Sequence, residues 1–348
     1  MPGRAADDDR SGCDRCHGGG RHRAGPRMTH LEVTAPDGAP EIHPGDDLVE
    51  LLVALTELAD GDIVAVTSKV VSKAEGRVRA GTREQALAGE TARVVARRGG
   101  TTIVRTHLGL TMAAAGIDSS NVPAGQVLLL PLDPDASARG LREGIRQRTG
   151  RNVAVVVTDT AGRAWREGQT DIAIGAAGLV VAEEYAGRTD AWGNELAVTL
   201  PAVADEVAGM AELAQGKLGG RPFAVVRGRG DLVLPPGEDG PGAAALVRDE
   251  GGDLFGYGAR EAVIRALKGD AADRAPFGAP VAAEELAAVI ADTLGLVASR
   301  SIGAGPAELL LTVPRGLVRP VAALAFAHGW DVLPTDSPSK TRLRPTPH

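Results

Sequence analysis

Apolar positions along the chain switch repeatedly between two periods, one suited to a buried strand and one suited to an amphipathic helix. "DIVAVTSKVVS" (Asp62 to Ser72), "TTIVRT" from Thr101, "VLLLP" from Val127, "NVAVVVTD" from Asn152 and "PFAVVRG" from Pro222 read as strands. "DLVELLVALTELA" from Asp47, "REQALAGETARVVARR" from Arg83 and "SARGLREGIRQRTG" from Ser137 read as helices. So does "PAVADEVAGMAELAQGK" from Pro201, in which Val203, Val207, Met210 and Ala214 make a core-facing stripe. Pro201 suits the first turn of that helix. The alternation predicts a mixed α/β (α+β) fold.

The pattern loosens between residues 231 and 270, where "LPPGEDGPG" reads as a loop or linker. Beyond it a helix "AEELAAVIADTL", a strand "ELLLTVP" and a helix "LVRPVAALAFAHG" predict a small C-terminal α/β appendage, and "TDSPSKTRLRPTPH" reads as a frayed end. The expected division is a disordered tail over 1–27, a main domain over 28–250, and a linker with an accessory α/β unit over 251–348.

Composition changes this picture mainly by exclusion. A formal net charge of -7 argues against a nucleic-acid binder, which carries a basic excess. No apolar run is long enough for a membrane span, and the start lacks the apolar stretch of a secretory signal. A cytoplasmic protein is the expectation. Both cysteines, Cys13 and Cys16, stand beside His17 at a haem-attachment spacing, and with His22 they half-build a zinc site. Gly18 to Gly20 and the mixed charges around them read instead as a disordered tail. Met28 reads as an alternative first residue.

Common nucleotide and nucleophile motifs are missing. Lys217 in "QGKLGG" is followed by Leu218 rather than Ser or Thr, "GRGDLV" lacks the last glycine of a dinucleotide fingerprint, and no G-x-S-x-G occurs. Three polar clusters remain. In "TSKVVSKAEG", read as extended, Ser68 and Ser72 share one face and Lys69 and Lys73 the other, which suits phosphates or a solvated strand end. In "AAAGIDSSNVPAG", Asp118 and Asn121 follow small residues that allow close backbone approach, though Asp-x-x-Asn is also ordinary turn chemistry. In "VVVTDTAGRAWREGQTDIAIG" from Val155, a buried strand is expected to end at Thr158 with Asp159 and Thr160 at its carboxyl end. Hard oxygens there suit a magnesium-type cation. Arg163, Arg166, Glu167, Gln169 and Asp171 follow at once. Acidic oxygens for cations beside basic groups for phosphates point to metal-assisted phosphoryl transfer.

At these residues the sequence resembles the coenzyme F420 precursor:L-glutamate ligases, γ-glutamyl ligases that build the polyglutamate tail of a deazaflavin coenzyme. The resemblance runs through "APEIHPGDDL", "GDIVAVTSKVVSKAEGR", "AAAGIDSSNV", "LLPLDPDASARGLR", "VVVTDTAGRAWREGQTDIAIGAAG", "AVADEVAGMAELAQGKL" and "PFAVVRG", in family order from Ala35 to Gly228. It implies the family's own α/β ligase fold, a homodimer, GTP as co-substrate, Mg2+ or Mn2+ at two sites, and K+. It also implies that a carboxylate of the deazaflavin precursor takes the γ-phosphoryl group of GTP, and that the amine of L-glutamate then displaces phosphate. Carried onto this chain, Asp118 and Asp159 look like ligands of one metal and Thr160 of a second. Ser68, Lys73, Asn121 and the stretch Ala39-Pro40-Glu41-Ile42 look like GTP contacts, with Lys217 near the nucleotide. The family commonly has Leu where Ala39 stands. Arg163 and Arg166 are assigned from their charge to neutralising the acyl phosphate or the anionic precursor.

In actinobacterial members a flavin-binding nitroreductase-like domain follows. "DRAPFGAPVAAEELAAVIADTLGLVASRSIGAGPAELLLTVP" resembles its opening, with the arginine-rich start reduced to "ADRAPFG", so residues 270–348 read as a truncated remnant without flavin. Two rival readings stand beside this one. The first is a GTP- or ATP-dependent acid–amine ligase acting on another carboxylate. The second is a non-catalytic nucleotide-binding module, disfavoured by the presence of both Asp118 and Asp159.

Overall fold

The computed structural model describes residues 30–249, 252–253, 255–300, 308–335 and 339–347; the expected tail over 1–27, with its cysteines, lies outside them. The first elements are β1 (Glu32–Thr34), α1 (Leu48–Leu55), β2 (Ile63–Thr67), α2 (Ser68–Ala74), β3 (Val78–Ala80) and α3 (Arg83–Glu90). There follow β4 (Thr91–Arg98), β5 (Thr101–Thr106), β6 (Thr111–Ala113), β7 (Gln126–Leu128), α4 (Pro134–Thr149), β8 (Ala154–Gly162) and β9 (Gln169–Ala177). Next come β10 (Arg188–Thr189), β11 (Glu195–Leu196), α5 (Val203–Gln215), β12 (Phe223–Arg227), α6 (Ala259–Lys268) and α7 (Ala283–Leu294). The last are β13 (Ala298–Arg300), β14 (Leu309–Thr312), α8 (Val318–Ala327), β15 (Trp330–Leu333) and β16 (Lys340–Pro345).

The strands richest in Val and Ile form a five-stranded sheet in the order β1-β12-β2-β8-β9. β2 and β8 run parallel at its centre and the other pairs are antiparallel. Both faces are covered, which is why β2 and β8 read as continuous apolar runs rather than alternating ones. Val64, Val66, Val155 and Val157 pack toward α1 and α4 with Leu52 and Ile145. Their neighbours Ile63, Ala154 and Val156 pack the other way, toward Val203 and Val207 of α5. A three-stranded sheet β4-β5-β6 and the pair β3-β7 lie beyond, and β13-β14-β16-β15 form an antiparallel sheet around Leu286, Ile290, Leu311, Val321 and Trp330.

Local chemistry sets the ends of the helices. α4 begins with Asp133 accepting from the amide of Ala136, has Pro134 in its first turn, and stops at Gly150 in the left-handed conformation. Asp47 caps α1, accepting from the amides of Val49 and Glu50, and pairs with Arg148. Those interactions, the Glu50 amide foremost, hold its carboxyl below the ordinary value. A depressed carboxyl stabilises the fold above its unfolded pKa, and that contribution is lost as pH falls through the folded value. Asp47→Ala is therefore expected to cost about 1 kcal/mol at pH 7, a deficit that shrinks below about pH 3.9. Urea titrations at pH 7 and pH 3 check both halves.

One buried side chain ties the layers together. Arg142 of α4 donates to the carbonyls of Val153, Leu234, Pro235 and Glu238 at 2.7–3.0 Å, and also to Asn152 and Asp239. Every guanidinium nitrogen is engaged.

Several sequence expectations are corrected. The strand expected over 62–72 ends at Thr67, whose amide donates to the Pro222 carbonyl, and Ser68 opens a helix. The helix expected from Arg83 ends at Glu90, and "TARVVARR" becomes a strand because it pairs along β5. β8 does not stop at Thr158 but continues to Gly162 as half of a hairpin with β9. Pro201 stands before the helix that Val203 begins. The loosened stretch contains α6. Residues 340–345, expected to fray, lie between β14 and β15 inside their sheet.

Candidate active site

β2 and β8 reach the same edge of the main sheet at Thr67 and Thr158, and there the chain leaves β2 directly into α2. The carboxyl edge of parallel strands is where open α/β sheets commonly bind ligands. A cavity of about 370 Å3 opens at this edge, walled by 39–42, α2, the hairpin β8–β9, and the end of α5 with the loop after it. Of the residues expected to bind nucleotide, Ala39, Pro40, Glu41, Ile42, Lys73, Asn121 and Lys217 all line it. Asp159 and Thr160 line it too.

The hairpin supplies the acidic wall. A register shift between Val157 and Thr158 is followed by the pairs Asp159–Ile172 and Thr160–Asp171. Side chains of directly paired residues share a face. Thr160 donates to Asp171 at 2.7 Å and Thr158 donates to its other oxygen at 3.3 Å. Asp159 accepts from Ser68 at 2.8 Å. Burial pushes the Asp159 carboxyl up to about 7, the charge of Asp171 adds to the rise, and the Ser68 hydrogen bond opposes it.

Basic groups face this wall. Lys217 lies 2.8 Å from Glu212, 3.5 Å from Asp171, and donates to Thr160 at 2.7 Å. Burial alone would depress the ammonium, but Glu212 and Asp171 outweigh it and raise its pKa. Lys73, largely buried, pairs with Glu41 at 2.5 Å. Gln215 is 3% exposed, lines the cavity, and its amide nitrogen has no acceptor. A buried orphan donor inside a cavity is a place for an oxygen-bearing ligand.

The remaining expected residues stand further back. Ser68 is buried with its hydroxyl spent on Asp159, so it supports the wall rather than lining it. Asp118 is held by Lys69 at 2.6 Å and by Ser120. Burial raises its carboxyl, but those partners outweigh it and leave the pKa low. Its approach runs through left-handed backbone at Ala114, Ala115 and Gly116, where a Cβ on Gly116 would press into Leu130. Arg163 and Arg166 are exposed on the hairpin turn and do not line the cavity; Arg163 donates to the Glu167 carbonyl instead. Asp171, Glu212, Gln215 and Arg221 are cavity residues that the sequence reading did not assign. For Glu212 and Gln215 a signal existed: they sit one helical turn apart, just before Gly216 and Lys217.

The donor set suits a hard cation. Carboxylate and hydroxyl oxygens gather around Asp159, Thr160 and Asp171, and the Lys217 ammonium already places a positive charge against two of them. Among the described residues no three carboxylate, imidazole or thiol side chains converge. Any such ion would need ligand oxygens to complete its shell.

An oxygen-lined cavity with opposed acidic and basic walls suits an enzyme that handles anionic reactants. Comparison with known proteins agrees. The model of the F420-0:Gamma-glutamyl ligase family matches residues 38–84 and 81–228. Coenzyme F420:L-glutamate ligase of Archaeoglobus fulgidus is 41% identical over 220 residues, which cover 57% of this chain and 88% of that protein. The Haloarcula marismortui protein of the same name is 40% identical over 258 residues, covering 66% and 98%. That of Methanopyrus kandleri is 38% identical over 239 residues, covering 62% and 93%. The chain belongs to the F420-0:gamma-glutamyl ligase family.

Proposed function

We propose that this protein joins L-glutamate to the carboxylate of the deazaflavin precursor F420-0, with GTP as the activating co-substrate. Family membership supports the reaction class. The observation that carries the reading at the site is the meeting of an under-neutralised acidic wall, Asp159 and Asp171, with Lys73, Lys217 and the orphan amide of Gln215. A carboxylate does not condense with an amine unaided, because its oxygen is a poor leaving group. Transfer of the γ-phosphoryl group makes an acyl phosphate, and attack by the glutamate amine then forms the amide and releases phosphate.

Each wall has a task in that sequence. Lys73 and Lys217 attract and align the phosphates, Lys73 leaving Glu41 and Lys217 leaving Glu212 as the nucleotide enters. Asn121 and 39–42 close the nucleotide's side of the cavity. Asp159 and Thr160 would hold Mg2+ or Mn2+, with Asp118 joining as Lys69 gives way. When bound, such a cation neutralises charge on the transferring phosphoryl group. K+ as an assisting ion and a homodimer belong to the same reading. So does a division into a ligase domain over 28–250 and a linker with an accessory unit over 251–348. In this reading the accessory unit is related to the opening of a nitroreductase-like domain, and the protein is cytoplasmic. Among the described residues no helix is long and apolar enough to cross a membrane.

The test incubates the protein with GTP, Mg2+ or Mn2+, F420-0 and L-glutamate, following phosphate release and product mass. A glutamate-sized gain that requires GTP supports the reading. GTP turnover that glutamylates a different acid would replace it with the related acid–amine ligase.

Lys217→Ala is expected to raise the KM for GTP about tenfold or more, since a charge-assisted contact contributes roughly 1.5–3 kcal/mol. Steady-state kinetics with GTP varied would check this, and an unchanged KM would remove Lys217 from the nucleotide site.

A further inference from the structure

The hairpin that carries Thr160 and Asp171 in the cavity ends in a turn over residues 163–168 that the ligation chemistry leaves without a task. At its tip Trp165 is 87% exposed and adopts a φ of 60°. Left-handed backbone is unfavourable for a bulky residue and marks a turn or a strained functional site. Among the described residues the indole packs little. The aromatic neighbour of Trp165 is Phe255, itself 59% exposed, with ring centres 6.0 Å apart and planes at 62°. The two rings form an open corner. Beside it Arg166 is exposed and has no partner among the described residues, while Arg163 is tied to the turn through Glu167.

We infer that this corner is the docking platform for the ring system of the acceptor, with Trp165 as a specificity-determining residue and Arg166 as its charged rim. The inference rests on the acceptor named under Proposed function. That molecule carries a flat aromatic deazaflavin ring system as well as the carboxylate that reacts. Its two ends need two separate places, one aromatic and one inside the cavity. The hairpin provides both on one rigid element: Trp165 is five residues beyond Thr160, so the Cα atoms are at most ~18 Å apart. The exposed guanidinium of Arg166, next in sequence to Trp165, complements the negative charge of the acceptor. Stacking on a preset indole face would let the enzyme hold the ring without contacting the reacting atoms.

Trp165→Ala and Trp165→Phe test this, with acceptor binding followed by deazaflavin fluorescence and by the acceptor's KM. Loss of one stacking partner is expected to weaken acceptor binding by about tenfold to a hundredfold. Trp165→Phe should recover most of it, and the change should fall on the acceptor's KM rather than on that of GTP. A truncated acceptor, keeping the reacting carboxylate end but lacking the ring, should not distinguish Trp165→Ala from wild type. Equal binding of the full acceptor by both proteins overturns the inference, as does an equal loss with the ringless acceptor. Retained acceptor binding with a dimer-to-monomer shift in light scattering would also overturn it, and would assign the corner to a contact between copies. Wild-type protein that binds GTP but not the acceptor sinks the functional reading itself and this inference with it.

Discussion

Asp159→Asn is expected to lower GTP-dependent glutamate transfer by on the order of a thousandfold while leaving the protein folded. The amide keeps the shape of the carboxyl and can still accept from Ser68, but it removes the buried negative charge that a cation would require. The same charge is a liability when no cation compensates it. With the folded carboxyl near 7, above its ordinary value, its contribution to stability is greatest at low pH. That contribution is lost as pH rises from the unfolded carboxyl range through about 7. In a chelating buffer, wild type should therefore lose melting temperature between pH 5 and pH 8 relative to Asp159→Asn. Added Mg2+ or Mn2+ should raise the wild-type value and leave the variant unmoved. Calorimetry at the two pH values, with and without metal, decides the matter. An Asn variant that still ligates glutamate at the wild-type rate would remove Asp159 from the reaction.

Arg142→Met is expected to destabilise the protein by about 3–5 kcal/mol, the range for leaving buried polar partners uncompensated. Methionine fills much of the volume but donates nothing, so the carbonyls of Val153, Leu234, Pro235 and Glu238 lose a shared donor. A second substitution produces the lesion from the other side. Gly178 has a φ of +69°, and a Cβ there would lie 2.1 Å from Arg142 Nε. Gly178→Ala should thus cost a comparable amount, and the double variant less than the sum, because both break one set of contacts. Urea midpoints for the three variants test this. Full additivity would show that the two residues act separately.

Why some of this was legible in the sequence and some was not has a geometric reason. Residues four apart lie on one side of a strand and also on one side of a helix. Ser68 with Ser72, and Lys69 with Lys73, could therefore be paired correctly while their element was read as a strand and is a helix. The apolar runs of β2, β8 and β12 were readable because strands covered on both faces need no alternation. Asp171 was not assigned, since its place depends on the register that sets it opposite Thr160 across a turn. Glu212 and Gln215 reach the cavity through the packing of α5 beside the sheet, and Arg221 through the loop between α5 and β12. Residues 340–345, rich in charge, look like a tail. They alternate in burial, with Thr341 and Leu343 inward, and that two-residue rhythm was the sign of a strand.

The order of strands in the main sheet also bears on how the molecule is made. β1, at Glu32–Thr34, pairs with β12 opposite Arg227, Val226 and Val225, and β12 in turn joins β2. On a ribosome the first of these strands waits, without its neighbour, until nearly two hundred further residues have been synthesised. Pairings of such long range form slowly, and an unfinished sheet exposes strand edges that associate with other chains. Yield of soluble protein should thus depend on growth temperature and chaperone supply more than the finished fold's stability suggests.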